Sequence, residues 1–99
     1  MQTVFKLGDW LVLPRRDCIE RSDAVVHVTP KAMAVLEHLA LAAGDVVSRE
    51  DLFDSVWPES VVTDDALTQC IVELRKALGD SAREPRFIET IPKVGFRLL

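Results

Sequence analysis

Between Thr63 and Leu78 the segment TDDALTQCIVELRKAL carries side chains suited to recognition rather than to bond making. Thr68 and Gln69 each offer hydrogen-bond donors and acceptors, and a glutamine amide matches the N6 and N7 edge of adenine in a DNA major groove. Val72 can meet a thymine methyl or stand as an ordinary exposed apolar residue. Arg75 and Lys76 form a basic pair, for which the plain alternative is that cations are favoured at the carbonyl end of a helix. Asp65 opposes an anionic partner, because a carboxylate repels phosphate, although it can accept from cytosine N4.

Bond-making chemistry finds no support elsewhere. No nucleophile sits with a paired base, no glycine-rich loop could cradle phosphate, and no spacing forces carboxylates together. The chain is therefore not expected to be an enzyme. His27 and His38 lack a third ligand at metal spacing, so no metal and no cofactor are expected. Cys18 and Cys70 have no CxxC partner, which predicts two buried or half-buried free thiols rather than a disulfide or zinc site.

The 99 residues, 48% hydrophobic and 28% charged, are enough for one globular domain with a modest core. No apolar run reaches the roughly 20 residues of a membrane helix, and MQTVFKLGDW lacks the blocks of a signal peptide, which predicts a cytoplasmic domain. The formal charge of −4 argues against nucleic acid, whose partners usually carry a basic surplus. Residues 1–60 hold six basic and ten acidic side chains, however, whereas residues 61–99 hold six of each. The excess acid lies outside the C-terminal part, so a local basic surface is still available there, with weak and salt-sensitive non-specific affinity.

The elements that must position these side chains follow from local patterns. Val4–Leu7, Trp10–Leu13, Cys18–Glu20 and Ala24–Val28 are short β-prone runs separated by turn residues, which predicts an antiparallel sheet within residues 1–28. Thr29-Pro30 is a cap followed by proline at the first helical position, opening a helix to about Ala43 with Met33, Leu36, Leu39 and Ala40 inward. Ser48 caps a second helix that must end near Trp57, before Pro58, with Leu52, Phe53 and Val56 inward. Thr63 caps the third, whose first-turn acids Asp64 and Asp65 offset exposed N–H groups. Leu67, Ile71, Leu74 and Leu78 fall within roughly 60° on its wheel, opposite Asp65, Thr68, Gln69, Val72 and Lys76. Cys70 lies at the edge of that stripe. Gly79-Asp80 stops the helix, and Arg86–Ile91 and Gly95–Leu98 form a hairpin.

The expected fold is α+β: an N-terminal antiparallel β-sheet (1–28), a three-helix core (30–78) and a C-terminal β-hairpin wing (86–98), the order of a winged helix-turn-helix. Fold order alone does not settle function.

Several stretches carry a family resemblance: Gly8-Asp-Trp-Leu-Val12, Thr29-Pro30, Val47-Ser-Arg-Glu-Asp-Leu52, Val56-Trp57, Val62-Thr63, Leu67-Thr-Gln-Cys-Ile-Val-Glu-Leu-Arg-Lys-Ala-Leu78 and Thr90-Ile-Pro-Lys-Val-Gly-Phe-Arg97. Together they resemble the OmpR/PhoB-type winged-helix domain, most closely its ToxR/CadC-like branch of membrane-anchored bacterial transcription regulators. The resemblance covers nearly the whole chain. It implies sequence-specific binding to double-stranded promoter DNA, with helix 63–78 in the major groove and the wing on an adjacent minor groove or the backbone. The first strand begins almost at Met1, which favours an N-terminal DNA-binding domain, and the resemblance implies a longer protein anchored in the inner membrane.

Carried over position by position, the resemblance implies DNA contacts by Arg49, Trp57, Thr63, Thr68, Gln69, Val72, Arg75, Lys76, Thr90, Lys93 and Arg97. Arg49 matches a phosphate-contact position beside the helix N-terminus at Ser48, itself able to bind phosphate. Trp57 matches a tryptophan beside the DNA backbone, with plain core packing as the alternative. The loop Trp57–Val62 matches one that can touch RNA polymerase or a neighbouring protomer, and two or more copies are expected on half-sites about one helical turn apart. Val94 stands where relatives often have a second cation and Phe96 where tyrosine is common. A second reading therefore stays open, an acidic winged-helix protein-interaction module with little DNA affinity, favoured by the net charge, Asp65 and the thinned wing.

Overall fold

The computed structural model describes residues 3–99. Four strands, β1 (Phe5–Leu7), β2 (Trp10–Leu13), β3 (Cys18–Arg21) and β4 (Ala24–His27), form an antiparallel meander in the order β1-β2-β3-β4. Side chains alternate across a pleated strand, so the registered row Phe5, Val12, Ile19 and Val26 shares one face, and Val12 and Ile19 on it are buried. A 3-10 turn at Pro14–Arg16 joins β2 to β3.

Helix α1 spans Pro30–Leu41, capped by the Thr29 hydroxyl, which accepts from the Ala32 N–H at 3.3 Å. It ends two residues short of the expected Ala43. Ala43 turns to a positive φ of 52° and its N–H returns to the Ala40 carbonyl, which closes the helix. Helix α2 spans Arg49–Val56, where the Ser48 hydroxyl accepts from the Asp51 N–H at 3.0 Å. Helix α3 spans Asp64–Leu78. Thr63 occupies its cap position in extended conformation, but the hydroxyl makes no capping bond, contrary to the expected side-chain cap. The other end follows expectation. Gly79 at φ 72° lets the N–H groups of Gly79 and Asp80 return to the Lys76 and Arg75 carbonyls, a Schellman closure that favours glycine.

The wing consists of β6 (Ile88–Ile91) and β7 (Gly95–Leu98), paired antiparallel with Glu89 opposite Arg97 and Thr90 opposite Phe96. Its first strand starts at Ile88 rather than Arg86, because the Asp80 carboxylate takes up the N–H groups of Arg86 and Phe87. A strand that the sequence did not suggest, β5 (Val47–Ser48), pairs with β7 and makes the wing sheet three-stranded in the order β5-β7-β6. The wing is thus joined edge-on to the start of α2.

One continuous core joins the layers: Val12 and Ile19 from the meander, Met33, Leu36 and Leu39 from α1, Leu52 and Val56 from α2, the α3 stripe, and Ile88 and Phe96 from the wing. Cys70 belongs to it, deeper than the expected edge position, and both cysteines are buried free thiols. Polar links fix α3 within this frame. The Trp10 indole N–H donates to the Leu78 carbonyl at 3.3 Å, and the Glu73 carboxylate accepts from the Thr29 N–H at 2.6 Å and the Thr29 hydroxyl at 2.9 Å. Glu73→Ala should remove both bonds at the start of α1 and lower stability by about 1–2 kcal/mol, read from urea unfolding. An unchanged midpoint would refute that role.

Candidate nucleic-acid interface

The surface of α3 is set by what its other face buries. Leu67, Cys70, Ile71, Leu74 and Leu78 face the core, which turns Asp65, Thr68, Gln69, Val72 and Lys76 to solvent. Val72 is 55% exposed although apolar, so it has no packing partner that would explain it. The exposed hydroxyl of Thr63, free of a capping bond, adds a donor at the start of the same helix. Asp64 and Asp65 make that start acidic, whereas Lys76 makes the last turn basic, so the side-chain charges favour an anion at the C-terminal half, against the helix dipole.

Arg75 does not stand free beside Lys76. Its Nη2 donates to the Ile88 carbonyl at 3.0 Å and to the Thr90 hydroxyl at 2.8 Å, both on β6. These two expected site residues are thus brought together, with the guanidinium half-buried and directed at the wing. Arg97 is also engaged, by Glu89 directly across the hairpin at 2.5 Å. Both partners are partly exposed, so the pair contributes little to stability, but it offsets the cation expected there.

Lys93 is the exposed cation of the wing tip. It is the third residue of the turn closed by the Val94 N–H on the Ile91 carbonyl, and it adopts a φ of 65°. Arg49 lies half-buried with its guanidinium 5.5 Å from the centre of the Phe96 ring, and its N–H donates to the Val94 carbonyl at 3.0 Å. Trp57 is half-buried against Phe53, ring centres 5.9 Å apart, so part of it is core packing and part is surface. Lys31, which the sequence did not single out, lies with Nζ 5.9 Å from the Trp57 ring centre and donates to the Val56 carbonyl at 2.8 Å. Its bond to the Val56 carbonyl joins positions 25 residues apart, for which local sequence carries no signal.

The Cys70 thiol is pushed up from its ordinary value by burial first and by the nearby Glu73 carboxylate second, with Lys31 acting against them. A thiol held protonated is a poor nucleophile, so a redox switch has no chemical support there.

A buried stripe, a free hydrogen-bonding face and a tied wing are combined in one small domain. The family model described as "Transcriptional regulatory protein, C terminal" matches residues 23–98. The chain belongs to this family. As an OmpR/PhoB-type transcriptional regulatory domain it is 39% identical to the transcriptional activator CadC of Escherichia coli over 99 residues. That match covers 99% of this chain but only 19% of the activator. The solved DNA-binding domain of E. coli CadC superposes with a TM-score of 0.85 at 37% identity, over 100% of this chain and 92% of that one. The Klebsiella pneumoniae RstA DNA-binding domain, solved in complex with the RstA box, shares the fold with a TM-score of 0.80 at 23% identity, over 97% of this chain and 96% of that one. The transcriptional regulatory domain is not an enzyme, and its winged-helix fold is the one expected.

Proposed function

We propose that this domain binds double-stranded promoter DNA, with α3 in the major groove and the β6–β7 wing on an adjacent minor groove or the backbone. The observation that carries this reading is the free face of α3, where Thr63, Thr68, Gln69, Val72 and Lys76 are all exposed on a helix whose opposite side is locked into the core. Thr68 and Gln69 read base edges, Val72 meets a thymine methyl, and Lys76, Lys93 and Arg49 meet phosphate. Trp57 lies along the backbone beside Lys31, while Arg97, offset by Glu89, contributes from the wing base. Arg75 and Thr90 join this site through the bond between them. The relation to the DNA-binding domain of CadC supports the assignment.

The other parts of the reading belong to the longer regulator. The loop Trp57–Val62 presents a fully exposed Val61 and is the surface for RNA polymerase or a neighbouring protomer. Self-association on half-sites about one helical turn apart supplies the affinity that a domain of net charge −4 lacks alone. The domain works on the cytoplasmic side, in a protein anchored in the bacterial inner membrane. Among the described residues no helix is long and apolar enough to cross a membrane.

Fluorescence anisotropy against a duplex from the protein's own promoter and a scrambled control, at several salt concentrations, tests this function. Lys76→Ala and Lys93→Ala should each weaken binding and reduce the salt slope by about 0.9. The second reading, a protein-interaction module, draws on the acidic start of α3 and the engagement of Arg75 and Arg97 inside the fold. Absence of binding to either duplex at low salt would favour it.

A further inference from the structure

The wing and α3 can contact neighbouring grooves together only if their relative position is fixed before DNA arrives. Residues 79–87 join them in sequence without helix or strand. On the β7 side the wing is fastened to the start of α2, through the pairing of Gly95 with Ser48 and the Arg49 N–H on the Val94 carbonyl. On the β6 side the direct side-chain bonds to α3 come from Arg75, which reaches the Ile88 carbonyl and the Thr90 hydroxyl.

We propose that Arg75 is a positioning residue that couples the recognition helix to the wing through Thr90, and so makes the Lys93 contact depend on α3. The proposal rests on the DNA-binding reading above and adds how its two halves are joined. Two further observations carry it. The guanidinium meets no carboxylate, since the ion pair found among the described residues is Arg97 with Glu89. Its Nε is buried with no hydrogen-bond partner. An unpaired buried donor opposes stability, so folding alone does not favour arginine here. One guanidinium nitrogen, Nη2, held by two acceptors on one strand does limit how that strand lies against α3, which a neutral apolar side chain cannot do.

The test is a double-mutant cycle on a duplex enriched from a random pool by the wild-type domain, or sheared genomic DNA if enrichment fails. Arg75→Met should weaken binding about tenfold, and Thr90→Val should weaken it in the same direction. Lys93→Ala should add nothing in the Arg75→Met background, because an uncoupled wing no longer brings Lys93 to its phosphate. Full additivity of the Arg75 and Lys93 losses, with Thr90→Val silent, would overturn the proposal and make Arg75 an independent phosphate contact. Should Arg75→Met not fold, the same cycle run with Thr90→Val and Lys93→Ala decides.

Hydrogen exchange in the DNA-free protein separates this proposal from the function beneath it. Amides of residues 88–91 should exchange at least about tenfold faster in Arg75→Met and measurably faster in Thr90→Val. Unchanged exchange in both variants would overturn the coupling, whether or not DNA binds. Wild-type protein that binds no duplex while its variants show the faster exchange would sink the DNA reading alone.

Discussion

Gly95→Ala is expected to destabilise the domain by about 3 kcal/mol or more, lowering the melting temperature by roughly 15 °C. A methyl group at this position would lie 1.9 Å from the Val47 carbonyl oxygen and 2.8 Å from the Ser48 Cα, distances no packed carbon adopts. The obstructing atoms are backbone, so no rotamer change relieves them. The need here is for space, since Gly95 is not among the glycines at positive φ. Relief requires β5 to leave β7, which breaks the Ser48–Gly95 pairing and draws the Arg49 N–H off the Val94 carbonyl. Small domains hold only about 5–15 kcal/mol in all, so the loss is a large fraction of the total. Thermal unfolding by circular dichroism reads it. A shift of less than about 2 °C would mean that β5 does not hold the wing as described.

Asp80→Ala should cost about 3 kcal/mol through loss of the bonds that shape the segment between α3 and β6. One carboxylate oxygen accepts the Ser81 and Arg86 N–H groups at 2.9 and 2.7 Å, and the other accepts those of Phe87 and Ile88 at 3.2 and 2.8 Å. Burial by itself would push the Asp80 carboxyl up, but the backbone donors of Arg86, Ile88, Ser81 and Phe87 together hold it below its ordinary value of 3.8. A carboxylate whose folded value is lowered stabilises the fold fully above its unfolded value, and that stabilisation is lost as pH falls through the folded value. Wild-type stability should therefore drop faster than that of Asp80→Asn as pH falls from about 5 to below 3.8. Parallel pH profiles for the two proteins, measured by urea unfolding, would show that the ionised carboxylate contributes nothing.

What proved legible in the sequence was local. The inner stripe of α3, the helix starts at Thr29-Pro30 and Ser48 and the stop at Gly79 depend on residues within one or two helical turns, so period and cap chemistry place them without knowledge of the fold. The exposed face of Thr68, Gln69, Val72 and Lys76 was legible for the same reason, being the complement of that stripe. Thr63 shows the limit of this logic. Its position at the helix start was readable, but whether its hydroxyl turned inward to cap was not.

The tertiary structure decided the rest, because each remaining feature joins residues that are distant in sequence. A two-residue strand such as β5 has no periodicity to detect and exists only because β7 approaches closely at Gly95. Arg75 and Lys76 read alike as a basic pair, yet one is tied to Ile88 and Thr90 while the other is exposed, a difference set by where β6 passes. Arg97 reads as a wing cation until hairpin register sets it opposite Glu89. Local period and turn chemistry are enough to specify a winged helix with a readable third helix. Only the packed fold determined which of its cations stay free for phosphate, since that depends on which acceptors the neighbouring strands bring within hydrogen-bond reach.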